Sequence, residues 1–292
     1  MAASSTIDDY TRLHGRESGR RANPLRPDPA ETARRHRVAE HAQPDEHPAT
    51  AVQPAPAPAV ARRNAQLPGF APLLDELEIA GWSSHRRLLS GNFHDWLLLE
   101  GRGVLVTVGQ AVGPDPHDLT EAALVAQAAW AAIRAHAYHT SDAGTLLSRA
   151  SRSLWPIPNS RLQASVAVAL IDSAEGHASV AMAGDCLAWK VRAATSELLT
   201  ICQPPLGGAA EFAYMSQSVQ LSLRERLLLV ADDPMQRSPK LAASIAASFA
   251  QLDAESHRRM IAADAVALVR RHYELPADEI QSPASIVAVR RR

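Results

Sequence analysis

The chain has 292 residues, of which 46% are hydrophobic, and this is enough apolar side chain to bury a sizeable core. Its formal net charge of −1 gives no strong field toward nucleic acid or an anionic membrane, and no apolar run is long enough to span a bilayer. The two cysteines, Cys186 and Cys202, form no CxxC pair, so neither a disulfide framework nor a zinc knuckle is indicated and a reducing cytoplasm fits best.

The N-terminal 66 residues differ in composition from the rest of the chain. They are rich in Pro, Ala, Arg and His, include the run PAPAPAV at 54–60, and hold almost no large apolar side chains. Such a segment cannot bury enough apolar surface to offset the entropy of ordering it. The composition predicts a disordered tail over residues 1–66, with a semi-extended Pro-Ala spacer, and one folded domain over residues 67–292.

The first part of the predicted domain reads as a meander of strands followed by two helices. Short apolar runs at 77–82, 92–99 and 104–109 predict three strands. Asp118 and Glu121 have the spacing of a capping box, and the alanine-rich run behind them predicts a long helix. A second helix is predicted over 145–154.

Beyond residue 154 the pattern changes to short strands, two further helices and a last strand. Val166, Val168 and Leu170 alternate along the chain and therefore share one face of a strand. Strands are predicted at 164–171, 177–183, 187–192, 197–201, 217–221, 227–231 and 285–289, and helices at 239–251 and 256–272. Runs of strands are followed by pairs of helices, and single strands do not alternate with single helices. The pattern therefore predicts an α+β fold of antiparallel sheets flanked by helices.

Six short segments, in matching order and spacing, resemble the signatures of the SpoIIE/RsbU branch of the protein phosphatase 2C-like (PPM) superfamily. The segments are 90–96 (family GGDFYDW), 108–113 (IGDVSGHG), 181–185 (NAGH), 205–207 (PLG), 226–233 (DRLLLYTDG) and 282–289 (DDITLLVV). The resemblance covers nearly all of residues 77–292. It implies a four-layer sandwich in which two antiparallel β-sheets are flanked by helix pairs.

The resemblance also implies where metal ions would bind, because the family holds two Mn or Mg ions at one end of the sandwich. Carried over position by position, the aspartates of the family fall on Asn92, Gln110, Asp232 and Ser282. Hard divalent cations prefer carboxylate oxygens, and of these positions only Asp232 has one. The resemblance therefore implies a degenerate metal site and assigns no catalytic residue.

Two other acidic residues lie next to these positions in the sequence. Asp233 stands where the family has the glycine of its TDG segment, and Asp95 is retained three residues after Asn92. Both could support an altered metal site. Asp95 could equally take part in ordinary turn chemistry, in which aspartate is common.

The resemblance leaves alternative functions open. In the first, the domain is a pseudophosphatase that keeps the phosphatase fold, binds no cofactor and acts as a regulatory or binding module in bacterial signalling. In the second, it is a metal-dependent phosphoserine or phosphothreonine phosphatase that uses Mn or Mg in a site built on Asp232, Asp233 and Asp95. In a third, it is a scaffold tethered by its tail. Family members act on anti-anti-sigma-type phosphoproteins, so a protein partner of that type is implied, with neither nucleic acid nor membrane.

Three further groups have a chemical and a structural interpretation. His136 and His139 have a spacing that can bind zinc, but no third ligand is evident in the sequence. His94 lies next to the first metal position, where a packing role is favoured. Cys186 would need a basic neighbour to become a nucleophile, and the sequence favours a small buried residue instead.

Overall fold

A computed structural model of the chain describes residues 67–84, 90–112, 119–154, 163–193, 195–199, 203–209, 211–232, 240–273 and 284–292. The predicted tail, the predicted helix cap at Asp118, and the positions Asp233 and Ser282 lie outside the described residues. Within the described part, no helix combines the length and the apolar character needed to cross a membrane.

The described strands form two antiparallel sheets of five strands each. In spatial order, the first sheet contains β1 (Leu77–Ser83), β10 (Ala284–Arg291), β9 (Arg226–Asp232), β6 (Leu187–Arg192) and β7 (Thr195–Leu199). The second sheet contains β2 (Asn92–Leu99), β3 (Gly103–Val112), β4 (Gln163–Ile171), β5 (His177–Ala183) and β8 (Gln217–Gln220). The helices are α1 (Leu119–Ala137), α2 (Ala143–Leu154), α3 (Leu241–Ala250), α4 (Ala254–Arg259) and α5 (Ala262–Arg270).

The layers follow from the alternation of side chains along the strands. In β3, Val104, Val106 and Val108 pack between the two sheets, whereas Leu105 packs in the cluster that contains α1 and α2. On the outer face of the first sheet, Trp189 packs in the cluster that contains α3 and α5. The order of layers is helices, sheet, sheet, helices, which confirms the predicted α+β four-layer sandwich.

The helix predicted over 256–272 is in fact two helices, α4 and α5, with a break at Met260. The ψ angle of Met260 is 116°, which lies outside the helical region and ends the hydrogen-bond ladder. The buried guanidinium of Arg226 donates to the carbonyl oxygens of His257 and Met260, at 2.5 and 2.6 Å. These carbonyls end α4 and have lost intrahelical partners, so a tertiary contact stabilises a break that local propensity does not predict.

The other predicted elements are found within a few residues of their predicted bounds. The strand predicted at 197–201 begins two residues earlier, at Thr195. The reason is a tight turn after β6. Ala193 has a φ of 46°, and Arg192 pairs directly with Thr195 across the hairpin.

Candidate functional site

Two of the four metal positions implied by the sequence lie opposite each other in the second sheet. Asn92 begins β2, Gln110 is near the end of β3, and the two are register partners. Their side chains are buried, with exposed fractions of 1% and 5%. Gln110 has the same strand parity as Val108, which packs between the sheets, so both amides face the interior of the sandwich.

A close backbone approach fixes this pair of strands. The amide of Ala111 donates to the carbonyl oxygen of Gly91 at 3.0 Å. A Cβ added at Gly91 would lie 2.0 Å from the carbonyl oxygen of Ala111, so a larger residue would push β2 and β3 apart. The glycine before Asn92 therefore allows the close packing that sets the position of the Asn92 side chain.

Asn92 is hydrogen-bonded across the sandwich to the end of β1. Its Nδ2 donates to Ser84 Oγ at 2.6 Å. Ser84 Oγ also accepts the backbone N–H of Ala284 at 3.1 Å, and the Ser84 N–H donates to the Ala284 carbonyl at 2.9 Å. This chain of neutral groups joins the start of β2 to the start of β10.

A second chain of hydrogen-bonded side chains lies beside the first. Ser83 Oγ is 2.8 Å from His94 Nδ1 and 2.8 Å from Ser285 Oγ. All three side chains are buried. His94 therefore takes a structural role that connects the two sheets, as its packing interpretation predicted.

Asp232, the third position, is the last residue of β9 and is register partner of Ala284. Its side chain is fully buried, and its Oδ2 accepts a hydrogen bond from the Tyr273 hydroxyl at 2.9 Å. Ser84, Asn92, Gln110, Asp232 and Ala284 thus lie at one end of the sandwich, which we call the Asn92 end. The described structure brings three of the four implied positions to this end.

Gln110 has a different environment from Asn92. Its Nε2 reaches the carbonyl oxygen of Ala111 at 3.3 Å, while its Oε1 is buried and accepts no hydrogen bond from any described residue. A buried amide oxygen without a donor is costly, and it is a weak neutral ligand for a hard cation. Gln110 could contribute one neutral oxygen to a metal or a water, but no charge.

Asp95 does not join the Asn92 end. It lies on the outer face of the second sheet, where its Oδ2 accepts hydrogen bonds from Arg134 at 2.6 Å and from Trp130 at 2.8 Å, both on α1. Burial raises the pKa of the Asp95 carboxyl above its ordinary value of 3.8, while the hydrogen bond and charge of Arg134 oppose that shift. Arg134 also lies over the ring of Trp130, 5.1 Å from its centroid. Asp95 therefore anchors the long helix to the sheet.

The described residues of the Asn92 end do not fit a binuclear metal centre. Two divalent cations bring four positive charges, which the protein must balance largely with carboxylates. The described side chains here are amides, hydroxyls, an imidazole and the single carboxylate of Asp232. No group of three or more His, Cys, Asp or Glu side chains in the described residues could hold a metal ion.

The other candidates from the sequence are placed as follows. His136 Nε2 lies 2.9 Å from Ser153 Oγ, and His139 is exposed at the end of α1. Cys186 is buried, and its Sγ lies 3.9 Å from the carbonyl oxygen of Ala183. Neither the His pair nor the thiol lies in a group of metal-ligating side chains among the described residues.

Several residues of the Asn92 end were not predicted from the sequence. They are Ser83, Ser84, Ser285 and Tyr273. The serines follow or begin strands, where a hydroxyl is unremarkable, and their partners lie up to 202 residues away along the chain. The pair Ser83–Ser84 at the end of a predicted strand was the only local signal.

A family model described as Stage II sporulation protein E (SpoIIE) matches residues 100–292. The match includes Gln110, Asp232 and Ser282 and begins after Asn92. It covers well over half of the chain. No curated protein matches the chain by sequence.

Solved structures share the fold at low sequence identity. The PP2C phosphatase domain of Bacillus subtilis SpoIIE, with a fragment of its regulatory domain, is 14% identical with a TM-score of 0.61, over 73% of this chain and 63% of that chain. The RsbU and RsbW domains of Rv1364c from Mycobacterium tuberculosis are 20% identical with a TM-score of 0.56, over 74% of this chain and 60% of that chain. RsbX in complex with magnesium is 8% identical with a TM-score of 0.56, over 76% of this chain and 98% of that chain.

Proposed function

The chain belongs to the SpoIIE family, and we propose that it is a pseudophosphatase, in which the phosphatase fold serves as a regulatory or binding domain without metal-dependent hydrolysis. The observation that supports this most strongly is the hydrogen bond between two neutral side chains, Asn92 and Ser84, at the Asn92 end. Asn92 donates to Ser84 across the sandwich at a position where the resemblance implies a carboxylate ligand.

Charge balance is the physical basis of the proposal. Two divalent ions about 4 Å apart repel each other strongly unless several carboxylates surround them. Asn92 and Gln110 offer neutral oxygens, and Ser282 would add at most a hydroxyl. Of the four implied positions, Asp232 alone has a carboxylate, which supplies about one negative charge against four positive charges.

The retained carboxylate is also engaged in another way. Asp232 accepts a hydrogen bond from Tyr273, which follows α5. A metal that approached this carboxylate would compete with that hydroxyl. The contact with Tyr273 gives Asp232 a structural role that needs no metal ion.

Binding without turnover is the function that remains for such a domain. We propose a phosphoprotein partner of the anti-anti-sigma type and a cytoplasmic location, because the resemblance implies the first and the cysteine usage favours the second. The chain spans 63% and 60% of the SpoIIE and Rv1364c structures, so their other segments have no counterpart in the match.

The direct test is hydrolysis of an aryl phosphate and of a phosphoserine protein substrate by the purified chain in Mn or Mg. We expect no turnover above the metal-free background. Hydrolysis that depends on the metal and is abolished by Asp232→Ala would overturn the proposal and favour an altered but working metal site that includes Asp232.

A further inference from the structure

A cavity of about 230 Å³ lies at the opposite end of the first sheet from the Asn92 end. Arg226 begins β9 and Asp232 ends it, and at about 3.3 Å per residue the two are roughly 20 Å apart. We call this cavity, which lies beside the start of β9, the Arg226 cavity. The charged side chains that line it are Arg192, Arg224, Glu225, Arg226 and Arg258, together with His257.

The one carboxylate of the Arg226 cavity is neutralised by cations. Glu225 is buried, with its Oε2 3.1 Å from Lys190 Nζ and its Oε1 3.3 Å from Arg192 Nε. Its Oε2 also accepts the N–H of Ser222 at 2.9 Å. Two cations and a backbone donor therefore offset its charge. Arg258 is paired with Glu255 at 2.6 Å, so the positive potential of the cavity comes mainly from the guanidinium groups of Arg224 and Arg226.

Arg226 is a buried cation that lines the cavity. Only 1% of it is exposed, and its Nη2 binds two backbone carbonyls. Its Nε–H makes no hydrogen bond with any described residue, and no described carboxylate lies within ion-pair distance of it. A buried guanidinium that lacks an anion is costly, and a ligand with a negative charge would offset that cost.

The neighbouring strand increases the cost. Arg290 of β10 is the register partner of Arg226, and like charges directly opposite each other in a sheet repel. Glu78 pairs with Arg290 at 2.9 Å, so this carboxylate is already in use. Burial, followed by the charge of Arg290, lowers the pKa of Arg226 to about 10, although the charges of Glu78 and Asp264 oppose the shift.

Arg224 is placed at the cavity by a strained turn. Its φ is 68°, a region that non-glycine residues rarely adopt, and its N–H donates to the carbonyl of Arg291 at 2.7 Å. Its guanidinium forms no ion pair with a described residue. Strain of this kind often marks a functional position, because the surrounding structure must hold the residue there.

We propose that the Arg226 cavity binds a phosphoryl group, with Arg226 and Arg224 as its main donors. Arginine matches phosphate oxygens well because its guanidinium presents parallel N–H donors. The volume is below the roughly 300–1,000 Å³ of pockets for drug-sized ligands, so the cavity fits inorganic phosphate or the phosphoryl end of a larger molecule. The site is remote from the Asn92 end and does not depend on the proposed function.

The test is a calorimetric titration of the full chain with inorganic phosphate, in EDTA and at constant ionic strength, with a phosphoserine peptide and its unphosphorylated form as further arms. We expect saturable binding of phosphate, weakened about tenfold or more by Arg224→Gln and by Arg226→Lys, since each loses a charge-assisted hydrogen bond. Arg259→Gln is the matched control. Arg259 is 80% exposed, pairs with Glu255 and does not line the cavity.

Each outcome decides the proposal. Tighter binding of the phosphopeptide than of phosphate would identify a phosphoprotein as the source of the group, and equal binding would identify a free anion. If phosphate shows no saturable binding, or if Arg224→Gln and Arg226→Lys weaken binding no more than Arg259→Gln does, the proposal is overturned. Arg224→Gln changes only an exposed side chain, so it tests the site even if Arg226→Lys fails to fold.

Discussion

Asn92 and Ser84 are joined by a 2.6 Å hydrogen bond that connects the second sheet to the first at one end of the sandwich. Both side chains are buried and neutral. Ser84 also accepts the N–H of Ala284, the register partner of Asp232. The bond therefore links β2, which carries Asn92, through Ser84 to β10, the strand that pairs with Asp232 of β9.

Asn92→Asp should destabilise the chain at neutral pH in the absence of metal. The substitution replaces the amide that donates to the Ser84 hydroxyl with a buried carboxylate, so a donor is lost and a charge is desolvated, and we expect a loss of about 1–3 kcal/mol in the free energy of unfolding. Because burial would raise the folded-state pKa of this carboxyl, the loss should shrink as the pH falls and the group protonates. Urea unfolding at pH 7.5 and pH 5 measures both effects, with Asn92→Ala as the uncharged control. An Asn92→Asp variant as stable as the parent at pH 7.5 would contradict this prediction, because it would show that the new carboxylate is solvated or paired at this position.

The ion pair between Asp95 and Arg134 should contribute to stability and not to metal binding. Arg134→Met leaves a buried carboxylate without its cation, and we expect a loss of about 1–3 kcal/mol. The double variant Asp95→Asn, Arg134→Met should recover part of that loss, because no uncompensated charge remains. Thermal unfolding with and without Mn is the measurement. A change in the response to Mn in Asp95→Asn would place Asp95 in a metal site after all.

The Asp142 carboxylate should stabilise the fold at neutral pH and should lose this contribution in acid. Its Oδ1 accepts the Thr145 N–H at 2.7 Å at the start of α2, and its Oδ2 accepts the hydroxyls of Ser179 and Ser216. Burial raises the pKa of Asp142, but the hydrogen bonds from Ser216, Thr145 and Ser179 outweigh it and lower the pKa below 3.8. A lowered folded-state pKa contributes stability above the unfolded-state pKa, and this stability is lost as the pH falls through the folded-state pKa.

Asp142→Ala should therefore cost about 1–2 kcal/mol at pH 7, the usual cost of losing a helix cap. The difference from the parent should narrow below about pH 4. Asp142→Asn keeps a capping oxygen and should cost less. A difference that stays constant from pH 7 to pH 3 would mean that the charge of this carboxylate contributes nothing.

Deletion of residues 1–66 should leave the melting temperature of the remaining chain nearly unchanged. The composition of this segment offers few apolar side chains to pack, so we propose that residues 67–292 are the folded unit. Calorimetry of the full and shortened chains tests this. A decrease of more than a few degrees would show that the segment packs against the domain, since about 1 kcal/mol shifts the melting temperature of a large domain by roughly 2–4 °C.

The sequence predicted the sandwich because its strands have clear alternation and their signatures resemble those of a known family. The sequence also indicated that Asp95 and Asn92 belong to different faces of one strand. The two are three residues apart in one strand, so their side chains face opposite sides of the sheet. The sequence could not predict the bond between Asn92 and Ser84 or the break at Met260, because both depend on contacts that the tertiary fold creates.

The most direct test of the central claim is a calorimetric titration of the chain with Mn, beside a variant in which Asn92→Asp, Gln110→Asp, Ser282→Asp and Asp233→Gly restore the residue types of the family. The parent should show no binding of two ions and little rise in melting temperature. The restored variant should be less stable without metal, because its carboxylates repel, and Mn should then raise its melting temperature with concentration. Binding of two Mn ions by the parent, abolished by Asp232→Ala, would contradict the account.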